Sequence, residues 1–188
     1  RYACYLIVLN CDPRKKVFSL AKTYFAIQTR KQELSEKEYN KLSEDEKRLY
    51  RRNQASKCNY NLNKTAVNSG VKDLSRFHNA GYKGLYNGET ADDIFKRKKL
   101  RYREDILDNM RSEELADNIF RIAQTNAKLK RDNVDNEYTA NFVHYEVGRE
   151  NKNSIKRLGG TMPEDLPTPE KSLKEIEKEN KKIGYEKL

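Results

Sequence analysis

The chain has 188 residues, and its 39 Lys and Arg against 29 Asp and Glu give it a net charge of +10 and a sequence pI near 9.4. Leu, Ile, Val and Phe number 39 of the 188, just above the ~20% below which a highly charged chain stays disordered, so the core is lean. The longest apolar run, Tyr2 to Leu9, is far short of the ~20 residues that cross a bilayer and lacks the charged n-region of a secretory signal. Membrane insertion and secretion are therefore excluded for that segment, and a cytoplasmic protein is expected. The run opens directly after Arg1 with no initiator Met, so the chain is expected to begin inside a longer polypeptide.

Val17, Leu20, Tyr24, Ile27, Lys31 and Leu34 alternate in steps of three and four, which places them on one stripe of a helix. A second helix is expected from Ser43, where Ser43 and Glu46 form an S-x-x-E capping box ahead of Leu49, Ala55, Cys58, Leu62 and Ala66, and Gly70 supplies its stop. The two would pack as an antiparallel hairpin. Between Val71 and Tyr102 the pattern breaks up. It offers a short piece from Leu74 to Asn79, a glycine-punctuated turn region from Gly81 to Gly88, and Thr90 as an N-cap leading to Ile94 and Phe95. Ser112, Glu113 and Glu114 open a helix with Leu115, Ile119, Ile122 and Leu129 on one stripe, flanked by Ala116, Phe120 and Ala123 and expected to be well buried. A further helix runs from about Asn136 to Leu158 through Tyr138, Phe142, Tyr145 and Ile155, with Gly159-Gly160 as its left-handed cap. Pro163 and Pro167 then interrupt the chain. Thr168 and Pro169 are expected to restart a charged helix to about Lys182, docked only by Leu173, Ile176 and Ile183 or else left as a tail. The expectation is an all-α, multi-helix domain over 1–158 built on long antiparallel helices, with short helices and loops in the middle. A Pro/Gly linker at 159–168 and a charged C-terminal helix or tail at 169–188 complete it.

The residues of catalysis are sparse. Cys4, Cys11 and Cys58 are odd in number and form no C-x-x-C pair, which favours buried free thiols over a disulfide framework or a zinc site. His78 and His144, the only two histidines, read as polar helix residues. The carboxylates cluster near expected helix starts, where they complement the helix dipole, and a nuclease site built from Asp92, Asp93 and Glu104 with a divalent metal ranks a distant third among functional readings. No G-x-x-x-x-G-K-[ST] phosphate cradle occurs. Gly81-Tyr82-Lys83-Gly84 has the form of the backbone-clamping loop of a KH module, but without strands it reads as a turn. No enzyme, cofactor or metal is expected.

One charge constellation stands out. Lys96, Arg97, Lys98, Lys99, Arg101 and Arg103 crowd the stretch around Leu100, with Phe95 and Tyr102 beside them. Neutralising several phosphates releases counterions and drives sequence-independent binding, and an aromatic ring such as Tyr102 adds ~1–3 kcal/mol of base stacking on single strands. The opposing reading is a solvated basic face anchored by Leu100, and the net charge tips the balance toward function. A second basic group, Lys47, Arg48, Arg51, Arg52 and Lys57, is interleaved with Glu44, Asp45 and Glu46 and reads as salt-bridged surface.

Four stretches, in order, resemble the C-terminal region of the DNA-damage-inducible protein D (DinD) family: RYACYLIVL at Arg1 to Leu9, Gln28 to Leu34 within TYFAIQTRKQEL, GYKGLY at Gly81 to Tyr86, and GGTMPEDLPTPEKS at Gly159 to Ser172. The resemblance implies an upstream segment similar to the Bro-N domain of phage antirepressors, a place in the bacterial SOS response, no catalytic residues, and an effect on recombination through the RecA filament. Two departures appear. The family pattern DIHxRKGL reads here Asp93-Ile94-Phe95-Lys96-Arg97-Lys98-Lys99-Leu100, and Arg111 stands where the family has glycine. The expected function is a non-enzymatic regulator that binds DNA, single-stranded by preference, or a RecA nucleoprotein filament, through Lys96, Arg97, Lys98, Lys99, Arg101, Tyr102 and Arg103. The alternative is an antirepressor-like regulator in which apolar helices such as Leu115 to Leu129 form a homodimer or protein-interaction module.

Overall fold

A computed structural model describes residues 38–185, with side chains through 179. The chain divides into two units, Arg1–Ser43 and Glu44–Leu188, and all elements named below belong to the second. The expected helix from Val17, the Tyr2–Leu9 run, Cys4 and Cys11 lie outside the described residues, and with them the expected hairpin.

The described part of the second unit is all-helical. Helix α1 spans Glu44–Asn68, starting one residue after Ser43 as the capping pattern predicts. It ends where Gly70 turns left-handed at φ +82°, with Val71 N–H bonded to the Ala66 carbonyl and Gly70 N–H to that of Val67, a Schellman closure. Helix α2 spans Leu74–Leu85 and is capped by Asp73, whose side chain accepts from Arg76 N–H. Helix α3, Ala91–Arg97, begins with a reciprocal capping box between Thr90 and Asp93. Helix α4, Ser112–Arg131, and α5, Glu137–Arg157, are joined by Asp132–Asn136 and return on each other as a helical hairpin. Gly159 at φ +73° and a Gly160 N–H bond to the Ile155 carbonyl end α5 as expected. Helix α1 packs along α4, and α2 along α5. One core cluster joins Leu62, Phe77, Ile122, Leu129 and Val143; a second joins Leu85, Tyr86, Ile94, Met110 and Leu115.

Four expectations need correction. Gly81 and Gly84 lie inside α2 and are not a turn. They face α5 at Gly148, where a Cβ on Gly148 would sit 2.7 Å from the Gly81 carbonyl oxygen, so the glycines serve helix–helix contact. On α4, Phe120 and Ala123 are exposed, while Asn118 and Arg121 are buried with Leu115, Ile122 and Leu129. On α5 the buried face is Ala140, Val143, His144, Gly148 and Asn151, and Tyr138 and Phe142 point outward. The C-terminal helix, α6, spans Leu173–Tyr185. Its start is fixed by a box in which Ser172 Oγ accepts from Glu175 N–H and the Glu175 carboxylate accepts from Ser172 N–H, four residues beyond Thr168.

The second basic group is also less superficial than its pattern suggests. Arg48 is buried, and its guanidinium donates to the carbonyls of Met110 (2.9 Å), Asp108 (3.0 Å) and Lys171 (2.9 Å) and to the Asp45 carboxylate. It ties α1 to the turn before α4 and to the segment before α6, and buried Leu173 anchors α6 there. Between α5 and α6 the proline-rich stretch makes a 3₁₀ turn at Pro163–Asp165 and buries Pro163 and Leu166. Among the described residues no helix is long and apolar enough to cross a membrane.

Candidate nucleic-acid interface

Helix α3 is only two turns long, and the chain leaves it through Lys98 into left-handed backbone at Lys99 (φ +52°) and Arg103 (φ +68°). Two such reversals within five residues cannot keep six cations on one face. They sort the cluster into inward and outward groups.

Lys98 points inward. Its ammonium is buried and pairs with the buried Glu114 carboxylate on α4 at 2.8 Å. Arg97 bonds Glu89 at 2.9 Å and the Glu164 carbonyl at 2.9 Å, tying α3 to the proline-rich stretch. Arg101 is exposed but bonds Glu104 at 2.8 Å and Glu175 of α6 at 2.6 Å. Hydrogen bonds from Arg101 and Ser172 hold the Glu175 carboxyl down to about 2, so this partner is ionised throughout the physiological range. Lys96, Lys99, Tyr102 and Arg103 remain outward; Tyr102 is 85% exposed and the Arg103 guanidinium lies 5.1 Å from its ring centroid.

Two of the outward residues meet α6. Tyr102 and Arg103 line a groove of about 410 Å³ together with Lys174 and Lys178, which stand one turn apart on that helix. The carboxylates in the same groove are engaged: Asp105 and Asp108 pair with Arg52, and Glu104 and Glu175 with Arg101. Arg103, Lys174 and Lys178 make no ion pair among the described residues. Two arginines hold the four carboxylates, and Arg103, Lys174 and Lys178 more than offset the remaining negative charge, so that three outward cations and a ring are left at the cleft for phosphate and base contact.

The family profile described as the DinD C-terminal domain matches residues 42–176. The chain belongs to the DinD C-terminal domain family. It is also similar to DNA damage-inducible protein D of Escherichia coli strain K12, 50% identical over 181 residues, which cover 94% of this chain and 66% of that relative. The chain thus spans about two thirds of that relative's length. No solved structure matches.

In this DinD C-terminal domain the Asp92, Asp93 and Glu104 carboxylates do not form a metal cluster; Asp93 serves the α3 capping box and Glu104 pairs with Arg101, and no three His, Cys, Asp or Glu side chains among the described residues converge on one point. Two features are not visible in the sequence pattern. Lys174 and Lys178 lie more than seventy residues from the basic cluster, and only the docking of α6 brings them to it; the Ser172–Glu175 spacing is the one sequence signal for where that helix begins. The second feature is a buried polar chain. From the Lys98–Glu114 pair it runs to the Tyr86 hydroxyl, which donates to Glu114 at 3.1 Å, then to Asn118, which donates to Tyr86 at 2.7 Å, and on to Arg121, which donates to the Asn118 oxygen at 3.0 Å. Arg121 also bonds His144 Nε2 and lies over the Tyr82 ring, 4.8 Å from its centroid. Burial, and then Arg121, hold the His144 imidazole well below its usual range. It is therefore neutral, accepting from Arg121 at Nε2 and donating from Nδ1 to the Phe77 carbonyl at 3.0 Å. Burial pushes the Glu114 carboxyl up against the pull of Lys98. These groups lie in the core and serve to fix the packing of α2, α3, α4 and α5.

Proposed function

We propose that this chain is the non-enzymatic, DNA-contacting part of a DNA-damage-response protein, which modulates recombination by binding single-stranded DNA, bare or within a RecA nucleoprotein filament. Support comes from family membership, from the similarity to a protein named for its induction by DNA damage, and above all from the groove in which Tyr102 and Arg103 meet Lys174 and Lys178. This reading moves the contact away from Arg97, Lys98 and Arg101, which are occupied by internal partners, toward Lys96, Lys99 and the α6 lysines. A homodimer of the antirepressor kind could not form through Leu115, Ile122 and Leu129, which are core residues; on α4 only the exposed face around Phe120 is open to a partner.

The test is fluorescence anisotropy of a labelled single strand, and of a RecA filament on that strand, titrated with the full chain at several salt concentrations. The variant Lys96→Ala/Lys174→Ala/Lys178→Ala should bind more weakly and show a shallower salt slope, by about 0.7 for each phosphate that is no longer neutralised on a single strand. Binding of equal strength and slope would remove these residues from the interface, and absence of binding to either target at low salt would overturn the proposal. Incubation with magnesium or manganese should leave the oligonucleotide intact.

A further inference from the structure

The outward face of α5 carries three aromatic rings at helical spacing, Tyr138, Phe142 and Tyr145, with Tyr138 83% and Phe142 56% exposed and Tyr145 half-buried. Burying such rings is worth several kcal/mol, and here that stabilisation is left unused. They instead form one wall of a groove of about 620 Å³ whose opposite wall is α2, with the exposed cations Arg76 and Lys83. The one carboxylate lining it, Asp73, is committed to the α2 cap, accepting from Arg76 N–H at 3.0 Å. Asn141, also lining the groove, has a side-chain oxygen with no hydrogen-bond partner in the protein.

We propose that this groove is a second nucleic-acid site, which holds unpaired bases of a single strand on Tyr138, Phe142 and Tyr145 while Arg76 and Lys83 take the phosphates; the inference rests on the reading that the chain contacts single-stranded DNA. At 1.5 Å of rise per residue the three rings are spaced about 6 and 4.5 Å along the helix, wider than the ~3.4 Å repeat of a stacked strand. Bases must separate to reach them, which a single strand does at little cost and a duplex does not. Cations on the facing wall supply charge complementarity to a phosphate backbone. Thr90, the cap of α3, also lines this groove, so its rim lies at the start of the helix that carries Lys96, the first residue of the basic cluster.

The experiment compares oligo-dT with an abasic oligonucleotide of equal length and with a duplex, titrated with the full chain. Its variants are Tyr138→Ala/Phe142→Ala and, separately, Lys96→Ala/Lys174→Ala/Lys178→Ala. Wild type should prefer oligo-dT to the abasic strand, and the aromatic variant should lose about fivefold or more in oligo-dT affinity per ring removed. Its affinity for the abasic strand should not change. Thermal melting checks that the exposed substitutions leave the fold intact, and cross-linking of a bromodeoxyuridine strand should map to α5. An aromatic variant that keeps the wild-type preference for bases overturns this inference; if the lysine variant alone binds more weakly, the function proposed above survives without it. Wild type that binds a RecA filament but no bare strand likewise overturns the groove and leaves the first proposal standing, whereas no binding to either removes both.

Discussion

At the scale of single residues the basic cluster separates into parts with different work. Removing the charge of Lys98 leaves Glu114 buried and unpaired, which costs about 3–5 kcal/mol, whereas the pair itself adds little over a hydrophobic substitute. Lys98→Met should therefore lower stability to urea by about that amount, and adding Glu114→Gln should restore most of it; a Lys98→Met variant as stable as wild type would contradict the buried pairing. Lys99 is the converse case. Its left-handed φ of +52° costs a side-chain-bearing residue about 1 kcal/mol that glycine does not incur. Lys99→Gly is expected to keep or raise the melting temperature while weakening single-strand binding, since it removes an outward cation. The two lysines are neighbours in the chain, yet neutralising one should destabilise the fold and neutralising the other should not.

At the scale of elements, the contact of α2 with α5 depends on the absence of side chains at Gly81, Gly84 and Gly148. In an exposed helix Gly→Ala gains about 1 kcal/mol of propensity. At Gly84 the added Cβ would collide with the Tyr145 carbonyl and lie 2.9 Å from Arg149 N and 3.1 Å from Gly148 Cα. All three are backbone atoms that cannot rotate aside, so overpacking of about 1–3 kcal/mol outweighs the gain. Gly84→Ala should lower the melting temperature, and Gly88→Ala, whose Cβ would meet nothing within 4 Å but whose φ is +95°, should show only the milder backbone penalty. The same packing shapes the proposed groove, because close approach of the two helices through glycine sets Arg76 and Lys83 opposite the rings of α5.

For the whole molecule, protonation sets the pH range of stability. Burial, and then Arg121, bring the His78 imidazole down from 6.5 to about 4, and His144 moves the same way. A depressed imidazole binds fewer protons in the folded than in the unfolded state, so its stabilisation is complete above pH 6.5 and declines as pH falls toward 4. Asp117 opposes this. Burial first, then Glu113 and Glu114, raise its carboxyl from 3.8 to about 6, so its contribution is complete below 3.8 and is lost as pH rises through 6. The raised Glu114 carboxyl acts in the same direction as Asp117, but it is held by Lys98 and Asp117 is partly exposed, so the two histidines prevail and the melting temperature should fall on acidification from pH 7 to 4.5. Asp117→Asn should raise stability at pH 7.5 by about 1 kcal/mol after allowance for screening, with the gain gone below pH 4; calorimetry across that range checks both, and a pH-independent gain would contradict the raised carboxyl. The net charge of +10 acts at this scale too, drawing anionic partners to every outward cation.

By itself the sequence determined the helical class, the limits of α1 and α5, the start of α3, and the caps at Thr90, Gly70 and Gly159, because capping and hydrophobic period are local and recorded within a few residues. It also showed where positive charge is dense. It did not show which charges are spent. Lys98 meets Glu114 sixteen residues away, Arg48 meets carbonyls as far as Lys171, and Lys174 and Lys178 reach the basic turn only through the docking of α6. The direction of the α5 rings was hidden for a related reason. A helix with aromatic residues on one side and Ala, Val, His and Gly on the other normally buries the rings, and only the glycine-lined approach of α2 makes the small-residue side the inner one. Which faces are buried is decided by pairing between elements distant in sequence, and that pairing separates the structural cations of this chain from those left to meet a ligand.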